Sequence, residues 1–474
     1  MIRSARLAVA AAALAGPLWP SAETDKPNIL LIVFDDLNDW VSPLGGHPQA
    51  RTPNFERLAR RGMTFTNAHI TAPLCNPSRA SLMSGMLSSS LGVYVNRQDW
   101  RSARALDGRP VLPQFLQGGG YRTLGGGKLF HAATVSAQQF YGLLPAQGFD
   151  DYYPARDRQL PDEIRPLGRP RNKSPGFVSG FFDWSPIVAE DSAMADGQVV
   201  GWAGRRLREE SDGPLFLGVG IYRPHLPWYV PDAYFDMHPL ERVELPATLA
   251  EDLDDVPGAE RYAGNQRIHR WILASGNWKR GVQAYLACVS FADAMLGQLL
   301  DALDASGRAT STVIVAVSDH GYHLGEKGQW RKYTLWEDAT HVPLLVVAPG
   351  VTTPGSQSSE PVSTLDIYPT LADLAGLSPP VHLEGHSLRP LLEDPTAEWP
   401  HQAVTTYRFG NHSVRTRHYR YIRYSDGGEE LYDHREDPHE WRNLAPLPGY
   451  GDLTRRLRAL LPRVNVEPIE AMWR

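Results

Sequence analysis

The chain has 474 residues, of which 42 % are hydrophobic and 21 % charged, and its formal net charge is −6. These values describe a globular protein able to bury a large core, and they exclude a disordered chain and a basic nucleic-acid-binding domain. Only Cys75 and Cys288 are present, which excludes a disulfide scaffold, and the length leads one to expect two packed units of unequal size.

At the start, Arg3 and Arg6 precede an apolar run from Leu7 to Trp19 and the small-residue stretch Pro20-Ser21-Ala22. This is the layout of a secretory signal peptide, too short to cross a hydrocarbon layer of about 30 Å as a helix. Residues 1–22 are expected to be removed and the mature protein to be exported, either periplasmic or secreted. Their loss takes away two arginines and no acid, shifting the net charge from −6 to −8. No later segment reads as apolar enough to span a membrane.

Asn28 to Phe34 is a continuous apolar, β-branched run that stops at Asp35-Asp36, as expected of a strand buried on both faces of a parallel sheet. Thr52-Pro53 reads as an N-cap with proline at the first helical position, ahead of Phe55, Leu58 and Ala59 on one face. Next comes Cys75-Asn76-Pro77-Ser78-Arg79, with Leu82 and Gly85 downstream. Alone, Cys75 is either a small packed hydrophobe or a reactive group. Residues from about Leu143 to Pro186 are rich in Pro, Gly and Arg without a sustained period, and read as a long functional or mobile loop.

Further apolar runs, Leu215 to Ile221 and Thr312 to Val317, lead into Arg223-Pro224-His225 and Ser318-Asp319-His320-Gly321, and Leu344 to Val347 is a fourth. Between them, Tyr285, Leu286, Val289, Ala292, Leu296, Leu299, Leu300 and Leu303 keep helical spacing over about Val282 to Leu303, which places Cys288 in the core. Strands alternating with helices predict an α/β fold with a large, mostly parallel sheet. After Leu392 the texture shifts to alternating polar and β-prone residues, predicting a small antiparallel unit over 396–474 beside a main domain over 23–395.

Three strand ends therefore carry acid or histidine: Asp35-Asp36, His225 and Asp319-His320. In an open α/β sheet the ligand crevice lies at the carboxyl ends of strands, so these groups are expected to converge. Three carboxylates with one imidazole suit a hard divalent cation, Ca²⁺ or Mg²⁺, able to hold a tetrahedral oxyanion.

The ordered motifs resemble a type I sulfatase of the alkaline-phosphatase-like superfamily, most closely the iduronate-2-sulfatase branch. They are Asn28 to Asp36, Cys75 to Gly85, Gly127-Lys128-Leu129-Phe130-His131, Arg223-Pro224-His225, Ser318 to Gly321 with Gly325-Glu326, Trp330-Arg331-Lys332-Tyr333, and Thr340-His341-Val342-Pro343. The resemblance implies that a maturation enzyme converts Cys75 to formylglycine, whose hydrate is the nucleophile. It implies one Ca²⁺ held by Asp35, Asp36, Asp319 and His320 together with the modified Cys75. Arg79 and Lys128 would hold the modified side chain, His131 its second hydroxyl, and His225 and Lys332 the sulfate and the leaving oxygen. That second hydroxyl is what lets the sulfated intermediate expel sulfate, which a serine could not do.

The implied substrate is a sulfated, uronic-acid-containing saccharide, with Arg97, Trp100, Arg101 and Trp228 as candidate subsite residues. Val95 to Asp99 departs from the substrate region of a lysosomal iduronate-2-sulfatase. Two other readings stay open: a phosphate or phosphonate ester hydrolase on the same core, and a non-catalytic binder of sulfated glycans.

Overall fold

The computed structural model describes residues 26–131, 148–155, 159–166, 182–210 and 212–471. The leader over 1–22 and most of the predicted loop, including Arg169, Arg171 and Lys173, lie outside the described residues.

The centre of the molecule is an eight-stranded sheet. Its strands in chain order are β1 (Asn28–Asp35), β2 (Met63–Phe65), β3 (Arg122–Gly127), β4 (Asp151–Tyr153), β5 (Leu215–Pro224), β6 (Thr312–Ser318), β7 (Leu344–Val347) and β8 (Ser356–Ser358). Across the sheet the order is β8-β2-β7-β6-β1-β5-β3-β4. β1 lies at the middle, parallel to β5 and β6, with Leu31 opposite Gly218 and Val315. β7 is the antiparallel member of this mixed, mostly parallel sheet, pairing with both β6 and β2.

Burial on both faces is visible residue by residue in β1. Leu30, Ile32 and Phe34 enter one core cluster, while Ile29, Leu31 and Val33 enter the other. The first cluster is closed by the helix Trp278–Ala305, whose Tyr285, Leu286, Val289, Leu296 and Leu300 are all buried, with Cys288 among them. By length and hydropathy this helix could cross a membrane, contrary to the sequence expectation, but 83 % of its most apolar stretch is buried inside the protein. Its apolar surface is spent on the core.

The helix Pro53–Ala59 forms where predicted, but the Thr52 side chain does not cap it. Thr52 Oγ1 accepts from the Ser42 amide at 2.7 Å instead. The cap comes from the long helix: Asp293 Oδ1 accepts from the amides of Asn54 and Phe55 at 3.0 and 2.9 Å. A carboxylate at a helix N-terminus satisfies orphan N–H groups and opposes the helix dipole.

The C-terminal unit is a four-stranded antiparallel sheet, β9 (Ala403–Thr406), β10 (His412–Arg415), β11 (Tyr419–Arg423) and β12 (Glu429–Asp433), in sequential order. Tyr407 and Arg408 lie in the connection between β9 and β10. The sheet does not stand alone, since Ile422, Tyr424 and Tyr432 share a core cluster with Val256, Tyr262, Leu335 and Trp336.

Candidate functional site

The carboxyl ends of β1, β3, β5 and β6 bring their groups to one place. Asp35 closes β1, and Asp36 follows with φ 64°, a left-handed turn that few side-chain-bearing residues adopt. Its amide donates to Asp319 Oδ1 at 3.2 Å, tying the ends of β1 and β6 together. β3 ends at Gly127 with φ 73°, where a Cβ would fall 2.0 Å from the Gly220 carbonyl oxygen. Only glycine allows that approach, and it delivers Lys128 to the site.

Cys75 opens the helix Cys75–Ser84, every residue of which is buried. Its thiol lies 3.6 Å from Asp35 Oδ1 and 3.3 Å from His320 Nε2. Burial by itself would raise the thiol pKa, but Lys128, Lys332 and His320, with a hydrogen bond to His131, hold it well below its ordinary value. Asp35 is likewise held low: burial pushes it up, and Lys128, which donates to Oδ2, together with His225 and Arg79 outweighs this. Asp319 goes the other way, burial pushing it up to about 7 against the Arg79 guanidinium.

Arg79, one helical turn after Cys75, anchors the arrangement from below. Its Nε donates to Asp319 Oδ2 at 2.7 Å, Nη1 donates to the Lys128 and Leu129 carbonyls, and Nη2 lies 3.7 Å from Asp35 Oδ1. Lys332 Nζ donates to Asp36 Oδ1 at 2.6 Å. His225, on the turn after β5, has Nδ1 2.5 Å from the Leu226 carbonyl and Nε2 3.9 Å from Asp36 Oδ2. This leaves Nε2 as the nitrogen facing the site. His131 hydrogen-bonds Cys75 on the other side.

The structure thus gathers Cys75, Arg79, Lys128, His131, His225, Lys332, Asp35, Asp36, Asp319 and His320. Asp35, Asp36, Cys75 and His320 each offer a ligand atom within 4.8 Å of the others, a set that fits a hard divalent cation. Asp319 sits at its edge, 3.6 Å from His320 Nε2. Three carboxylates face three permanent cations, so an added divalent ion would leave the pocket positive and attractive to an anionic ester.

The subsite candidates fare differently. Trp228 has no exposed surface and donates Nε1 to the Pro224 carbonyl at 2.7 Å, so it is a core residue that no sugar reaches. Trp100 is 5 % exposed, with one face stacked on Phe130 at 5.0 Å. Arg101 pairs with Asp99 at 2.8 Å and lines a cleft containing none of the ten gathered residues. Arg97 is exposed to solvent. Apolar and loop composition could not separate these environments from a sugar subsite.

What sequence reasoning missed is the bracing of the helix that Cys75 opens. The Asn76 amide donates to Asn96 Oδ1 at 3.0 Å, and its side chain donates to the Val95 and Gln98 carbonyls at 3.0 and 2.8 Å. The Asn inside the C-N-P-S-R motif was a local signal, but its partners lie about twenty residues on. Tyr322 Oη and Arg331 Nε are also buried beside the site without hydrogen-bond partners.

With this geometry in place, comparison with known proteins is direct. The sulfatase family profile matches residues 27–377, and the profile of the N-sulphoglucosamine sulphohydrolase C-terminal region matches 325–467. A sulfatase of Formosa agariphila is 39 % identical over 453 residues, covering 94 % of this chain and 88 % of the relative. Human iduronate 2-sulfatase is 30 % identical over 409 residues, covering 78 % and 72 %. Among solved structures, a phosphonate monoester hydrolase of Agrobacterium radiobacter superposes with a TM-score of 0.74 at 23 % identity, covering 92 % and 95 %, a likeness of fold.

Proposed function

This chain belongs to the sulfatase family and hydrolyses sulfate esters, and on that premise we propose that it desulfates a uronic-acid-containing saccharide, using a formylglycine made from Cys75 and one Ca²⁺. The observation that carries the proposal is the placement of Cys75: a buried helix-start residue in C-N-P-S-R, hydrogen-bonded to His131 and hemmed by Asp35, His320 and Lys128. The Cys75 thiol stands in for the formylglycine oxygens.

Sulfatases generally use formylglycine and Ca²⁺: the hydrate supplies a nucleophilic hydroxyl and a second one for release, and the ion charge on the ester oxygens. Asp35, Asp36, His320 and Asp319 would hold the ion. Arg79 and Lys128 fix the nucleophile's side and neutralise Asp319 and Asp35. Lys332 and His225 occupy the opposite wall against Asp36, where cations stabilise charge spread over the equatorial oxygens. His225 Nε2 is placed to protonate the leaving sugar oxygen, its ring oriented by the Leu226 carbonyl. His131, beside Cys75, would take the proton of the second hydroxyl.

Support for a uronate substrate comes from the human relative, whose name specifies iduronate 2-sulfate. The proposal extends to location and partner: residues 1–22 direct export, and a formylglycine-generating enzyme matures Cys75. Two measurements on matured protein test it. Intact mass of the peptide containing Cys75 is expected to show formylglycine, and active protein with only free thiol would refute the nucleophile. Sulfate release from sulfated uronate disaccharides is expected to exceed phosphate release from an aryl phosphate, and the reverse preference would favour a phosphoester or phosphonate hydrolase.

A further inference from the structure

Next to Lys332 lies a cation, Arg331, that forms no ion pair among the described residues. One amino group of Arg331 donates to the Tyr333 hydroxyl at 2.9 Å, and its guanidinium stands 5.1 Å over the Tyr333 ring. Its Nε is buried without a partner, and no carboxylate among the described residues forms an ion pair with it. Leaving a buried guanidinium N–H without an acceptor carries its full desolvation cost, so such a group makes sense where an anion arrives from solution. Arg331 lies within electrostatic reach of Asp36 and Cys75, at the reacting end of the pocket.

The space in front of Tyr333 has the matching character. A cleft of about 570 Å³ is walled by Tyr333, Asn265, Tyr407, Arg408 and Phe409, and its lining includes no acidic side chain. That volume suits a small ligand of one or two sugar units. The lining does not include Cys75 or its partners, but two contacts tie it to their surroundings. Asn265 Nδ2 reaches the Lys332 carbonyl at 3.4 Å, and Phe409 meets Tyr94 edge-on at 5.9 Å, on the loop whose Val95 and Asn96 hold Asn76. Arg408 packs over the Tyr407 ring at 5.3 Å and is exposed, with no ion pair among the described residues. Arg331, Tyr333 and Arg408 have φ values of 74°, 86° and 58°. Tyr333 and Arg408 line the cleft and Arg331 adjoins it through Tyr333, so left-handed backbone at all three marks a surface shaped by more than packing.

We propose that Arg331, with Arg408 at the outer edge, receives a second anionic group of the substrate, the carboxylate of a uronic acid, while its sulfate ester lies against Cys75. A planar carboxylate matches the guanidinium fork, and the aromatic walls offer faces for the sugar ring. The inference rests on the sulfatase reading and deepens it by naming a specificity determinant.

The test compares kcat/KM of matured protein for an unsaturated 2-O-sulfated uronate disaccharide, its carboxyl-reduced analogue, a disulfated disaccharide lacking a uronate, and an aryl sulfate. The parent is expected to favour the carboxylate over its reduced form by about 10²-fold, the range of a buried charged hydrogen bond. Arg331→Gln should erase that preference, mainly through KM, and Arg331→Lys should keep part of it. Arg408→Ala, at an exposed position whose loss spares folding, should lower it several-fold. An unchanged preference in both Arg331→Gln and Arg408→Ala, or equal losses on all four substrates, would overturn the proposal. Selectivity that follows the second sulfate instead would overturn the carboxylate assignment. A parent inactive even on aryl sulfate would overturn the sulfatase reading itself, a separate result.

Discussion

Two buried clusters of opposite charges occupy this protein, and they are built for different ends. Around Cys75, Asp35, Asp36 and Asp319 meet Arg79, Lys128 and Lys332. Beneath the C-terminal sheet, Glu337 and Glu440 meet Arg415, Arg420 and His434, with Lys327 and Asp252 alongside. Both contain a group of side chains close enough to bind a metal ion, four residues in the first and Glu337, His434 and Glu440 in the second. All six non-glycine residues with positive φ among the described residues belong to these clusters or the cleft beside the first: Asp36, Arg331, Tyr333 and Arg408 on one side, Lys327 and Glu440 on the other.

The difference lies in what remains unsatisfied. Arg420 donates to both Glu337 and Glu440, and also to the Leu335 carbonyl and Ser413 Oγ at 3.0 and 2.8 Å. A guanidinium already occupies the space between the carboxylates, so that cluster is a closed joint between the C-terminal sheet and the main domain. The Cys75 cluster instead includes a histidine nitrogen, His225 Nε2, turned into the site, and beside it Arg331 Nε is buried without a hydrogen-bond partner. Buried charge alone therefore does not mark a site; incomplete pairing facing a cleft does.

The sharpest way to break this contrast is at Cys75. Cys75→Ala is expected to reduce sulfate release by 10⁴-fold or more, on the order seen when a nucleophile is removed, with little change in melting temperature. Residual activity within tenfold of the parent would remove Cys75 from the chemistry. Chelation comes next: EGTA should lower turnover on the order of 10²-fold or more, restored by Ca²⁺. Glu440→Gln should leave that calcium dependence unchanged, and a shift would make the second cluster a metal site after all.

The joint should respond in stability rather than turnover. Arg420→Met strands two buried carboxylates and is expected to cost about 3–5 kcal/mol in chemical denaturation. At a temperature where the variant stays folded, its kcat/KM should remain within about threefold of the parent.

The smallest effect is that of acid. Burial raises Glu337, but Arg415, His434 and Arg420 together hold it well below its ordinary value of 4.5. A depressed carboxylate contributes stability that is fully present above the unfolded value and lost as pH falls through the folded one. The parent should therefore lose more stability than Glu337→Gln between pH 5 and pH 3, measured as the denaturation midpoint. Parallel curves would show that the joint does not depend on this charge.

The sequence was most legible where the signal was local. The β1 run, the long helix and the C-terminal alternation follow from side-chain periodicity, which each segment carries within itself. The ordered motifs pointed to Cys75, Asp35, Asp319 and Lys332 because each sits at a strand or helix end. Asp293 as the cap of a helix some 240 residues earlier was not legible, because Thr52 beside that helix offered the expected chemistry and only packing turned it elsewhere. Nor was Trp228, whose indole reads equally as sugar platform or core until burial is known.

By itself, then, the amino-acid order determined which segments are strands and helices and which side chains are candidates for chemistry, since periodicity and motif chemistry act over a few residues. Tertiary structure alone decided which charges pair and which are left open. Arg420 and Arg331 are equivalent as letters. One is closed between two carboxylates brought from other segments, and the other forms no ion pair among the described residues, because pairing depends on where distant backbone places its partners.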